Sequence, residues 1–119
     1  MNNAISHDPS CIFCKIVAGQ IPSRNAYEDD DVLVFHDIHP WAPVHLLVIP
    51  KLHIATHADV TPEHERLLGK MLRLAPKLAK EHGADNGFRT IINTGPDGGQ
   101  EVYHLHLHVI GGARPWKQG

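Results

Sequence analysis

Residues Tyr103 to Ile110 of this 119-residue chain read Tyr-His-Leu-His-Leu-His-Val-Ile. His104, His106 and His108 alternate with Leu105, Leu107 and Val109, the period of a β-strand, in which successive side chains point to opposite faces. The three imidazoles therefore share one face, roughly 6.6–7 Å apart from step to step. The leucines and the valine point the other way, into a core. A slip of one residue would bury imidazoles and expose leucines, so register is tightly specified. The result is a rigid row of neutral, nucleophilic nitrogens. A strand that needed only a polar outer face would be served as well by Ser, Thr or Lys.

The length suits one domain with one core: 1–119 as a single unit, with 1–10 a loose N-terminal segment and 112–119 a C-terminal tail. A formal charge of −2 and no Lys/Arg cluster provide no field for polymeric nucleic acid. Met1 to Ser10 is polar, and no apolar run approaches membrane-spanning length. A cytoplasmic protein without a membrane partner is expected. In that compartment the two cysteines, Cys11 and Cys14, read as a metal or redox pair rather than a structural disulfide. Of the eleven histidines, His7, His57, His64 and His82 fall where solvent-facing positions are expected.

Cys11 to Val17 reads as a short helix ended by Gly19, and Ala26 to Glu28 with Val32 to Phe35 as a hairpin around Asp29-Asp30-Asp31. His45 to Ile49 is an apolar run stopped by Pro50, hence a central strand. Thr61-Pro62-Glu63 is a helix start with cap, proline and dipole-favouring acid in order. Leu68, Met71, Leu72, Ala75, Leu78 and Ala79 form its core stripe; Pro76 should kink it and Gly83 end it. Phe88 to Asn93 is the fourth strand and the histidine segment the fifth. Strands interrupted by one long helix argue for an α+β domain with a mostly antiparallel sheet of five strands, one long helix and one short.

Two kinds of chemistry suit the histidine strand. His-x-His can place two imidazoles on one zinc, which then wants further ligands. Alternatively, a neutral imidazole attacks phosphorus and forms a labile N–P bond, while its neighbours donate hydrogen bonds and a proton to the leaving group. The loop Asn93-Thr94-Gly95-Pro96-Asp97-Gly98-Gly99-Gln100 runs directly into the strand. Glycines let a backbone approach a phosphate and aim N–H groups at it, which favours the second chemistry.

His104-Leu105-His106-Leu107-His108-Val109-Ile110 resembles the His-φ-His-φ-His-φ-φ signature of the histidine triad (HIT) superfamily. Phe35 to His45, Ile49-Pro50-Lys51, and Gly98 to Tyr103 continuing into Gly111-Gly112 resemble its Hint branch, especially bacterial members. The resemblance spans roughly Cys11 to Trp116. It implies a purine nucleoside phosphoramidase with a HIT-like fold, acting on a nucleoside 5′-phosphoramidate or binding the monophosphate. His106 would be the nucleophile, His108 would assist the leaving group, and His45 would stand beside it. Phe13, Ile16, Ile21, Phe35 and Ile38 would sandwich the purine, with His36 beside them; Asp37 would hold the ribose hydroxyls. Asn93, Gly99, Glu101 and Val102 would line the phosphate. Glu101 stands where animal Hint proteins carry a serine. Asp37 has a local alternative, capping the turn before Pro40.

The resemblance also implies a homodimer in which Trp116 reaches the partner's site. It implies no cofactor for catalysis, but a structural zinc on Cys11, Cys14, His53 and His104. A thioredoxin-like redox pair and two inert thiols are the competing readings of the cysteines. The functional rivals are a dinucleoside polyphosphate hydrolase of the same superfamily and a nucleotide-binding scaffold.

Overall fold

The computed structural model describes residues 4, 5 and 7–117. Five strands form one antiparallel sheet in the order β2-β3-β4-β7-β6: β2 (Asn25–Glu28), β3 (Val32–His36), β4 (Val44–Pro50), β7 (Leu107–Gly111) and β6 (Phe88–Ile91). A long helix, α2 (Glu65–Glu81), covers one face, and a short one, α1 (Ile12–Val17), belongs to the other.

Strand parity decides what each helix meets. Val32, Val34, Leu46, Val48, Leu107 and Val109 pack with Met71, Leu74, Ala75 and Leu78 of α2. Leu33, Phe35, Leu47 and Ile49 point the other way and pack with Phe13 and Cys14 of α1. Fully burying an aliphatic side chain contributes roughly 1.5–3 kcal/mol, so the α2 face supplies most of the hydrophobic drive.

The structure adjusts several expectations. Regular pairing of the histidine strand begins only at Leu107, opposite Val48. Pro50, at the end of β4, has no N–H to extend the ladder toward His104–His106. Both faces of the strand are buried, the imidazoles included. The fourth sheet strand stops at Ile91, so Ile92 and Asn93 leave the ladder. The N-terminal segment is not wholly loose: β1 (Ala4–Ile5) pairs with β5 (His53–Ile54).

Helix α2 is entered through a 3-10 turn, Pro62–His64, and His64 is buried rather than solvent-facing, its Nδ1 accepting the Thr61 N–H at 3.0 Å. His82 is half-buried, its Nδ1 2.8 Å from the Leu78 carbonyl. Leu72 is 51 % exposed and Leu74 takes its place in the core, because the stripe sits one position further round the helix. The helix runs through Pro76 as one element, with the ring on the solvent side. Among the described residues no helix is long and apolar enough to cross a membrane.

Candidate active site and metal-ligand cluster

His45 on β4, His108 on β7 and His106 just before it lie on the α1 face, where parity places odd residues of β4 against even residues of β7. Phe13, projecting from α1, stands edge-on to the rings of His104, His106 and Phe35 at 5.8, 5.3 and 5.4 Å. A cavity of about 240 Å³ opens here, lined by Phe13, Asp37, His39, Trp41, Leu47, Asn93, Gly99, Glu101, Val102, His106 and His108.

The hydrogen bonds determine which nitrogen of each imidazole carries its proton. Nδ1 of His106 is 2.7 Å from the His104 carbonyl, which only accepts, so Nδ1 carries the hydrogen. Nε2 of His106 keeps its lone pair. The Trp41 N–H donates to Nδ1 of His45 at 3.0 Å, so His45 is protonated on Nε2. That N–H donates to Nδ1 of His108 at 2.9 Å, which leaves His108 protonated on Nε2. Adjacent rings thus present opposite characters, a nucleophilic nitrogen on His106 and a donor on His108. Their centroids lie 5.0 Å apart.

Burial holds these rings neutral. It pulls His108 down to about 4, aided by neighbouring His106 and His45. It also lowers His106, against the raising effects of the His104 carbonyl bond and nearby Asp37. His45 is lowered by burial while Asp37 pulls it back, Oδ2 of Asp37 lying 3.4 Å from its Nε2. The other oxygen of Asp37 accepts the His39 N–H at 2.8 Å, so the carboxylate both caps its turn and faces the cavity.

Gln100, at the end of the glycine-rich loop, clasps it. Its Oε1 accepts the Gly95 N–H, and its Nε2 donates to the carbonyls of Ala55 and Val102. Gly99 adopts φ +77°, and a Cβ at Gly98 would fall 2.8 Å from the Thr94 nitrogen.

Beside this cavity Cys11, Cys14, His53 and His104 converge, all buried, their ligand atoms within 4.8 Å of one another. Cys11 caps α1, its Sγ accepting the Cys14 N–H. Nδ1 of His104 lies 3.3 and 3.6 Å from the two sulfurs and 3.2 Å from Nδ1 of His53; Sγ of Cys14 lies 3.4 Å from that same His53 nitrogen. Zinc bonds of about 2.3 Å to sulfur and 2.0–2.1 Å to nitrogen, set tetrahedrally, separate ligand atoms by roughly 3.3–3.8 Å. Outer contacts fit as well: Nε2 of His104 donates to the Pro50 carbonyl at 2.7 Å, and Nε2 of His53 lies 3.8 Å from Asp8. Both rings so turn Nδ1 inward. The donor set fits zinc.

Residues 10–118 match the family described as scavenger mRNA decapping enzyme C-term binding. The chain is 54 % identical over 102 residues to Protein HitA of Neisseria gonorrhoeae, covering 86 % of this chain and 95 % of that one. It is 51 % identical to a purine nucleoside phosphoramidase of Escherichia coli, covering 85 % and 86 %. A crystal structure of a HIT family hydrolase from Legionella pneumophila superposes with TM-score 0.85 at 49 % identity, over 88 % of this chain and 95 % of that one. The chain belongs to the histidine triad superfamily, in its Hint-like branch. It is a HIT-family nucleotide hydrolase. A further HIT neighbour, from Mycobacterium smegmatis, is described as zinc-bound; it superposes with TM-score 0.76 at 38 % identity over 86 % of this chain and 74 % of its own.

Within this HIT domain the residues named from the sequence divide. Phe13, Asp37, Asn93, Gly99, Glu101, Val102, His106 and His108 line the cavity, with His45 behind His108. Phe35 and Ile16 support Phe13 from the cluster beneath, and Ile21 is half-buried. Ile38 is 85 % exposed. His36 belongs to the opposite face, edge-on to His82 at 5.2 Å, because its place on β3 shares the parity of Val32 and Val34. Trp116 lies outside this cavity, between Arg89 and Arg114. His39, Trp41 and Leu47 were missed. Leu47 was legible, since a strand residue opposite His108 must share its face; the loop residues carried no periodic signal.

Proposed function

We propose that this hydrolase cleaves the P–N bond of purine nucleoside 5′-phosphoramidates, releasing AMP or GMP and an amine. The observation that carries the reading is the paired wiring of His106 and His108: a bare Nε2 beside an Nε2–H donor. Nε2 of His106 attacks phosphorus as the P–N bond breaks, and the leaving nitrogen takes the Nε2 proton of His108 once that ring has drawn a proton from solvent, so that His108 ends neutral. Water then attacks the nucleotidyl-histidine, the His106 N–P bond breaks, and the proton taken up earlier is released. Asp37 suits the ribose hydroxyls and Phe13 the purine face. The E. coli relative's name supports the substrate class. Steady-state hydrolysis of a panel of phosphoramidates and dinucleoside polyphosphates tests it, together with mass spectrometry of quenched enzyme. A nucleotidyl adduct on His106 and preference for phosphoramidates is the expected result. An adduct on His104 or His108, preference for dinucleotides, or retention of AMP without turnover overturns it.

The reading includes a zinc held by Cys11, Cys14, His53 and His104, which when bound cross-links α1 to the catalytic strand. The zinc-bound relative and the donor geometry support it. Protein grown with zinc should contain the metal, and a chelator should lower the melting temperature more than the specific activity. Metal-free protein, with a Cys11→Ser/Cys14→Ser variant as stable as wild type, removes the zinc. The reading also includes a cytoplasmic homodimer. Strands β2 and β6 are the open sheet edges, and Leu72 lies exposed on α2. Trp116 would then reach the partner's cavity. A monomer by sedimentation at micromolar concentration refutes the dimer.

A further inference from the structure

We infer that Trp41 is a positioning residue for proton delivery to the leaving group, acting through His108. The inference rests on the proposed phosphoramidate chemistry. Its indole stacks on the His108 ring, with centroids 4.9 Å apart and planes 15° from parallel. The same indole leans on His45 at 4.8 Å and 56°. The Trp41 N–H fixes the His45 tautomer at 3.0 Å, and His45 fixes that of His108 at 2.9 Å. One residue therefore controls His108 twice, through the backbone for its proton and through the ring for its plane. The Lys117 N–H donates to the Trp41 carbonyl at 2.6 Å, tying the same residue to the chain's tail.

An imidazole held by a single side-chain hydrogen bond can still swivel about it. A flat ring lying parallel against it removes that freedom and keeps Nε2–H aimed into the cavity that His106 shares. Proton transfer by a positioned group contributes about 100- to 10,000-fold, and only for a leaving group that needs the proton. Nucleophilic attack by His106 does not pass through Trp41.

The separating experiment compares two substrates of one nucleoside: an alkylamine phosphoramidate, whose nitrogen must leave protonated, and a 4-nitrophenyl phosphodiester, whose phenolate leaves unaided. Every variant keeps the backbone N–H, so the indole alone is tested. Trp41→Leu should lose roughly tenfold or more in kcat on the phosphoramidate, with KM little changed, and about threefold or less on the nitrophenyl ester. Trp41→Phe, which restores a flat ring, should recover most of the loss. Equal losses on both substrates, a loss confined to KM, or no rescue by phenylalanine overturns the role. Retained turnover of the nitrophenyl ester shows that a variant is folded. Should Trp41→Leu fail to fold, Trp41→Gln is compared with Trp41→Phe in the same way, and an unchanged substrate ratio overturns the role. Wild type that ignores phosphoramidates refutes the underlying reading instead.

Discussion

The two faces of the sheet are built by different rules. Against α2 the fully buried strand residues are aliphatic, and they pack with Met71, Leu74, Ala75 and Leu78. Against α1 lie the imidazoles of His45 and His108 on those strands and of His104 and His106 just before β7, and the covering helix with its cap contributes two thiols and one phenyl ring. On the first face energy is spread over many contacts that tolerate volume-conserving exchange. On the second, each buried polar atom needs one particular partner, since an unsatisfied one costs about 1–3 kcal/mol. Among the described residues none is left without a partner. One face holds the domain together; the other spends its order on proton placement.

Substitution separates these roles. His106→Ala should lower turnover on the order of 10,000-fold while AMP affinity, read by calorimetry, changes little, because the nucleophile is one nitrogen and the remaining cavity wall is intact. Activity within tenfold of wild type would break the division between faces. Met71→Ala, on the opposite face, should cost about 2–5 kcal/mol in chemical denaturation and leave kcat nearly untouched in the folded fraction. A large kcat loss there would mean the faces are mechanically coupled.

Acid should act on the histidine face. His108 is held down to about 4 in the fold, against about 6.5 unfolded. Between those values the unfolded chain binds a proton that the folded chain refuses, so stability falls as pH falls from about 6.5 to 4. Below 4 this contribution changes no further. The loss is at most about 3 kcal/mol, measured as denaturation midpoints across that window. A His108→Gln variant should show a shallower dependence, and an unaltered slope would remove His108 as the cause. The smallest effect belongs to His36→Ala. This histidine meets His82 on the α2 face, so activity should stay within about threefold. A larger loss would return His36 to the nucleotide site.

Two-residue alternation made the histidine strand β7 legible, and apolar runs bounded by turn residues and Pro50 made β3 and β4 so, their antiparallel sheet with them. Boundaries were less so. The chain leaves the ladder before Leu107 because Pro50 withholds an N–H, its carbonyl accepts from Nε2 of His104, and the Leu105 N–H donates to the Ile54 carbonyl instead. Leu72 and Leu74 are two positions apart on α2, and composition alone does not tell which one faces inward. His64, expected to face solvent, is buried because its Nδ1 is spent locally on the Thr61 N–H. Trp41 sits in a proline-bounded loop, where no period reports the direction of a side chain.

The sequence by itself determined which residues alternate, hence that His104, His106 and His108 share a face opposite Leu105, Leu107 and Val109. It also determined that two cysteines with two residues between them would point toward one place. Local geometry sets both, through the pleat of a strand and the turn of a helix. Only the tertiary structure decided that His104 turns toward the thiols while His106 and His108 turn toward the cavity. Which nitrogen of each ring is protonated depends on a carbonyl or N–H brought there by another segment: Pro50 for His104, and Trp41 through His45 for His108. An imidazole is symmetric enough to serve as donor or acceptor, so its neighbours in space, and not its place in the chain, choose between them.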